Sequence, residues 1–310
     1  IEEKDEDFSF RLPAQPTVVR IDPDVELLAR IQFTPARQAL TAQIQLEDDV
    51  IGRLLAAKEL GQKKDADAVA SLKDALWDDP FYAVSMEAVQ SLAAMDRDDA
   101  WDVLRHAGRH PDARVRREVA RALNRDYSRE TLALLKNLAE QDNNPGVRSV
   151  LIRALGKYPS ESIAEDLLRW MRVDSYHNEV TAAAIAAMET TADAQFVEPL
   201  RQFLKHHAER FQSNQLGAAL VTLATLNRGV EDRAATLELA LAYVEDPRSR
   251  VRNGAIRALG ALGDPRARGP LSAIAQAEGD AGAQAARSAL DALEKTAPVA
   301  TPSALRQETM

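Results

Sequence analysis

A nine-residue pattern that recurs about every 31 to 36 residues constrains this chain more than any other feature of its sequence. It reads VRREVARAL at 115–123, VRSVLIRAL at 147–155 and VRNGAIRAL at 251–259. Weaker copies lie at 52–60, 84–92 and 180–188. In the copy that begins at Val251, the residues Val251, Ala255, Ala258, Leu259 and Leu262 fall on one stripe of a helix. Val115, Val119, Ala122 and Leu123 repeat that stripe, as do Val147, Leu151, Ala154 and Leu155. Such a period predicts stacked helical hairpins, each too small to bury its apolar face without its neighbours.

Each patterned helix is expected to follow a partner helix, at 66–77, 98–108, 129–140, 161–173, 194–210 and 233–244. Breaks between partners recur at Asp79-Pro80, His110-Pro111, Asn144-Pro145, 176–178, Ser213-Asn214, Asp246-Pro247 and Glu278-Gly279. An Asx side chain can accept an orphan amide, and proline costs nothing at the first helical position, so these breaks read as helix starts. One break per period gives an α-solenoid of seven to eight hairpins over 35–295, after which 296–310 is expected to be a disordered tail.

Residues 1–34 differ. In FSFRL (8–12), Phe8, Phe10 and Leu12 alternate as in a half-buried strand. TVVRI (17–21) and ELLARIQF (26–33) are two further strand candidates, joined by the turn residues Asp22-Pro23-Asp24. Behind the acidic run 2–7 they predict a short N-terminal β segment, too small to stand alone, read as the end of a β-sandwich or a small sheet. Thr34-Pro35 then opens the first helix, expected at 36–46. With Ile1 at the start and no signal-like region, the chain reads as part of something longer.

Composition bounds the chemistry. The apolar share is 45% but the aromatic share only 5%, so alanine and leucine must carry the packing. Without cysteine there is no disulfide or thiolate metal site, and the compartment, cytoplasmic or periplasmic, stays open. A net charge of −9 argues against nucleic acid as a partner, because phosphate neutralisation by Lys and Arg supplies most of that affinity. No run of eighteen apolar residues is present to span a membrane.

The block 246–267, with Asp-Pro, then Val-Arg, then Ala-Leu-Gly, resembles HEAT-like repeats. At the amino-terminal end, PTVVRIDP (16–23), LLARIQF (27–33) and DDVIGRLLAAKELG (48–61) follow one another. That succession resembles the join between the β-sandwich and the carboxy-terminal helical domain of aminopeptidase N-type zinc metallopeptidases, bacterial members above all. The resemblance implies a non-catalytic domain that packs on the catalytic domain of the same polypeptide and limits peptide access to its active site. Zinc would then belong to that catalytic domain and not to this chain. The alternative is a HEAT-type scaffold that binds a peptide or protein partner on its concave face. A HEAT-type enzyme acting on DNA bases would need a basic, aromatic-lined surface, which the acidic balance opposes.

Reacting groups are scarce. His106 and His110 stand four apart on a predicted helix, but no H-E-x-x-H motif or third ligand accompanies them, and solvent-facing roles suit them better. His206 and His207 read as surface residues at a polar helix end. There is no nucleophile elbow and no phosphate loop, so this chain alone is not expected to be an enzyme. Trp77, Trp101 and Trp170 are expected as wedges between helices. The candidate binding residues are Arg53, Arg116, Arg148 and Arg252, which share one position of the repeat. They form either a structural ladder paired with loop aspartates or a groove that takes carboxylates.

Overall fold

The computed structural model describes residues 9–277 and 281–296. Among them are sixteen α-helices, in eight successive pairs, and no β-strand. Two compact units divide the chain between Leu134 and Leu135.

The first unit holds α1 (Arg37–Gln43) with α2 (Val50–Leu60), α3 (Ala66–Asp78) with α4 (Tyr82–Met95), and α5 (Asp98–Ala107) with α6 (Ala113–Leu123). It also contains the start of α7 (Arg129–Gln141). Within it the second helix of each pair packs on the next, α2 on α4 and α4 on α6. The stripe seen in the sequence is the reason: Val84, Ala88, Val89 and Leu92 of α4 and Val115, Val119 and Leu123 of α6 are almost wholly buried. At about 25 cal/mol per Å² of apolar area, burial of each leucine or valine is worth about 1.5–3 kcal/mol.

The second unit takes the rest of α7 with α8 (Pro145–Leu155), then α9 (Ser160–Trp170) with α10 (Glu179–Thr191). It continues with α11 (Val197–His207) and α12 (Ser213–Asn227), α13 (Ala234–Leu241) and α14 (Ser249–Leu262), and α15 (Arg268–Gln276) and α16 (Ala281–Thr296). Second helices again stack in order, from α8 through α10, α12 and α14 to α16. Alanine and glycine make this possible by letting backbones approach. A Cβ on Gly254 of α14 would lie 2.3 Å from the Cα of Gly217 on α12, and one on Gly260 would lie 2.8 Å from the Cα of Ala289 on α16.

The hairpin turns are closed by side chains. Asn144 caps α8, its Oδ1 accepting from the Val147 amide at 3.1 Å, and Pro145 occupies the first helical position as expected there. At Asp79-Pro80 and Asp246-Pro247 the proline instead precedes the helix. Asp79 Oδ1 accepts from the Phe81 amide at 2.8 Å, and Asp246 Oδ1 from the Arg248 amide at 2.9 Å. The aspartate closes a tight turn, and the helix begins after it.

Three expectations need correction. No β segment forms in residues 9–34, although the turn at 22–25 does. The Asp22 carboxylate accepts from the amides of Glu26 and Leu27 at 3.0 and 2.9 Å. No neighbouring strand offers its backbone to 17–21 or 26–33, and alternation alone cannot supply a ladder. The arm is tied down at Arg20, which pairs with Asp49 and donates to the Pro23 carbonyl at 2.9 Å. The long helix expected at 194–210 is α11 flanked by the 3-10 turns Ala194–Phe196 and Ala208–Arg210. His110 is buried and stands beyond the end of α5, so it is neither solvent-facing nor on a helix with His106. Phe8, the acidic run 2–7, the break at Glu278-Gly279 and the tail beyond Thr296 lie outside the described residues.

Candidate functional site

The four candidate arginines share one structural position, the fourth residue of a second helix. A cation there opposes the helix dipole, so it must be held by something else. Arg116 Nη1 donates to the carbonyls of His110 and Pro111, both at 2.9 Å. Arg148 Nε donates to the Ala139 carbonyl at 2.8 Å, and Arg252 Nη1 to the Asp246 carbonyl at 2.9 Å. Each guanidinium thus folds back onto the end of the first helix or the turn of its own hairpin.

Arg53 goes further. Its Nε meets Asp79 Oδ2 at 2.7 Å, and the two side chains are 4% and 3% exposed. Nη2 reaches Asp79 Oδ1 at 3.3 Å, while Nη1 donates to the carbonyls of Leu46 and Glu47. A recess of about 530 Å³ lies beside it, lined among others by Thr41, Ser71, Asp74 and Asp78. With its donors already engaged, Arg53 closes the floor of that recess and has little left to offer a ligand.

A second recurring cation was legible in the pattern but not singled out. The seventh position of the nine carries Lys58, Arg121, Arg153 and Arg257 in four of the six copies. All four are exposed on second helices. Arg121 is held by Glu118 at 2.7 Å, three residues before it. Arg153 makes no ion pair among the described residues, and Arg257 donates only weakly, to the Asn253 carbonyl at 3.3 Å. Position two is therefore the inward-turned cation and position seven the outward one.

In the second unit the outward face carries two depressions. One, of about 190 Å³, runs over α8, α10 and α12, where Ala182, Ile185, Ala186, Phe211, Ala218 and Ala219 form its apolar lining. Arg153 and Glu189 stand on it, and Glu189 accepts from Thr222 Oγ1 at 2.8 Å. The other, of about 380 Å³, lies over α12, α14 and α16 among Asn214, Arg250, Asn253, Arg257 and Ala285.

The histidines and tryptophans do not assemble a reaction centre. His106 Nδ1 lies 2.8 Å from the Asp102 carbonyl. His110 packs its ring 5.3 Å from that of Trp77 and accepts from the Asp112 amide at 3.1 Å. Burial pushes its pKa below the ordinary value, which keeps the imidazole neutral. Trp170 is buried as a wedge with Nε1 3.3 Å from Glu140, Trp101 is half-buried, and Trp77 is partly exposed. Among the described residues no three His, Asp or Glu side chains gather as metal ligands, and no helix is long and apolar enough to cross a membrane.

Residues 37–124 and 106–189 match the family model for HEAT repeats. Among solved structures, an engineered protein is 17% identical, covering 83% of this chain and 81% of its own, with a TM-score of 0.44. Human deoxyhypusine hydroxylase is 21% identical over 84% of this chain and 96% of its own, with a TM-score of 0.35. The complex of CpcE and CpcF of phycocyanin lyase from Nostoc sp. PCC7120 gives 17% identity, 86% and 98% coverage and a TM-score of 0.35. Nothing matches among curated proteins.

The family match overturns the resemblance to aminopeptidase N-type zinc metallopeptidases. It begins at residue 37 and takes in the whole of 48–61, which carried much of that resemblance. Those residues build α2, the second helix of the opening HEAT hairpin, and the arm before them has no strand. The Gly52-Arg53…Ala56-Ala57…Leu60 spacing is the repeat's own packing stripe, with Ala56, Ala57 and Leu60 fully buried. The ground for a neighbouring catalytic domain and its zinc falls with it.

Proposed function

We propose, from the HEAT-repeat character of residues 37–189, that this chain is a scaffold that binds a peptide or protein partner on the outward face of its second helices. The observation that carries this reading is the depression over α8, α10 and α12. Four alanines line it with Ile185 and Phe211, which leaves room for a partner's side chains, and Arg153 on it has no ion pair among the described residues. A wall of short side chains between stacked helices suits an extended segment, because the helices fix the floor before binding and little ordering entropy is lost.

The test is selection of displayed peptides on the full chain, followed by A186W and A218W, which fill the depression. Selected peptides are expected to lose binding to both variants and to keep it for Q202A, on the exposed side of α11. Peptides that bind all three alike would remove this face as the binding surface.

A further inference from the structure

The second depression, over α12, α14 and α16, differs in chemistry from the first, and the difference begins with two glycines. Gly217 and Gly254 face each other so closely that a Cβ on Gly217 would lie 2.6 Å from the Arg250 carbonyl. This contact draws α12 and α14 together. One turn before Gly217 stands Asn214, and on either side of Gly254 along α14 stand Arg250, Asn253 and Arg257. The close approach therefore brings Asn214 to the two guanidinium groups and the Asn253 amide of α14, around one recess of about 380 Å³ with Ala285 of α16 on its remaining side.

Among the described residues no carboxylate lines the recess. Arg250 is exposed and makes no ion pair among the described residues, in a chain whose net charge is −9. Most arginines elsewhere in this unit are engaged, Arg169 with Glu140 and Asp166, Arg201 with Glu198 and Arg210 with Asp174. Two exposed guanidinium groups without a carboxylate partner keep their donors available to an anion. Asn253 and Asn214 border the two guanidinium groups with uncharged amides, so the recess is polar and its only formal charge is positive.

We infer that this recess binds an acidic peptide segment, with Arg250 and Arg257 holding Glu or Asp carboxylates. The inference rests on the scaffold reading and gives its partner a chemistry. Nucleic acid fits the recess less well, since two guanidinium groups can neutralise only a couple of the phosphates on which most of that affinity depends.

The experiment measures binding of a labelled, end-blocked peptide of alternating Glu and Ala to the full chain by fluorescence anisotropy. Its Gln-Ala counterpart and a single-stranded DNA serve as the other arms. The Glu-Ala peptide is expected to bind, and the Gln-Ala peptide to bind at least about ten-fold more weakly, as loss of one charge-assisted contact would give. R250A/R257A is expected to lose about ten-fold or more. Both side chains are exposed, so the variant should keep its helical circular dichroism and melting temperature. Equal affinity for wild type and R250A/R257A, equal affinity for the two peptides, or tighter binding of the DNA at this site would each overturn the inference. If R250A/R257A has no effect while A186W and A218W still abolish binding of selected peptides, the inference fails and the scaffold reading stands.

Discussion

Arg53 and Asp79 form an ion pair buried on both sides, with Nε 2.7 Å from Oδ2 and side chains 4% and 3% exposed. Arg53 is the fourth residue of the second helix of the first hairpin, and Asp79 caps the end of the first helix of the second. The pair therefore fastens two repeats together at their turns. A buried pair of this kind is costly to break because the survivor is left charged and unsolvated. R53A or D79A is expected to destabilise the first unit by about 3–5 kcal/mol, whereas R53M/D79L should cost less than either alone. Urea denaturation of the three variants checks this; a double variant as unstable as the sum of the singles would refute it.

The two recurring arginines of the pattern should behave oppositely. Arg148, whose Nε reaches the Ala139 carbonyl at 2.8 Å, ties a helix start to the helix before it. A charged donor bonded to a half-buried carbonyl is worth about 1.5–3 kcal/mol, so R148A should lower the denaturation midpoint. Arg153 lies five residues further on and is exposed, so R153A should change stability by no more than about 0.5 kcal/mol. The reverse order would mean that the ladder and the free surface have been exchanged.

That contrast also marks what the sequence could reveal. The apolar stripe and the Asx turns made the pairs legible: α3 was expected at 66–77 and spans Ala66–Asp78, and α7 at 129–140 and spans Arg129–Gln141. A period of packing is written into residue type, because each buried position must be small and apolar. The direction in which an arginine points is not. Arg148 and Arg153 are alike in type and repeat alike, and only the reach to a backbone carbonyl of the preceding helix separates them. The arm failed for a similar reason. Phe10, Leu12, Val19 and Ile21 alternate as a strand would, but Phe10 is 81% exposed, and pairing depends on a neighbour that pattern does not specify. The recess between α12 and α14 was hidden because the helix that supplies Gly217 departs from the nine-residue pattern.

The acid side of the stability profile follows from the turns. Hydrogen bonding from Arg114 holds the Asp112 carboxyl at about 2, against an ordinary 3.8. Asp246 and Asp264 are held low by Arg248 and Arg266 in the same way. Their folded pKa values lie below the unfolded ones, so the contribution is complete above about pH 4 and disappears as pH falls through the folded values. D112N keeps an N-cap acceptor but cannot bind the proton. It should cost up to about 1 kcal/mol at neutral pH, as for a partly exposed pair, and less near pH 2. Melting temperatures of wild type and D112N should therefore converge on acidification, and curves that stay parallel from neutral to acid pH would deny Asp112 this role.

The glycine contact carries the last expectation. In the middle of α14, Gly254→Ala would ordinarily help a helix by about 1 kcal/mol. Here the new Cβ would meet the Gly217 Cα at 2.3 Å and its carbonyl oxygen at 2.7 Å. Those atoms are backbone and cannot rotate away, so α12 and α14 must separate. Overpacking of this kind costs about 1–3 kcal/mol, enough to reverse the sign of the propensity gain. Gly269→Ala in α15 meets nothing within 4 Å and should be neutral or stabilising by up to about 1 kcal/mol. Separation of α12 from α14 moves Asn214 but leaves Arg250 and Arg257 together on α14, so G254A should weaken the acidic peptide less than R250A/R257A does. A G254A protein that melts above wild type would show that the two helices are not in contact at these glycines.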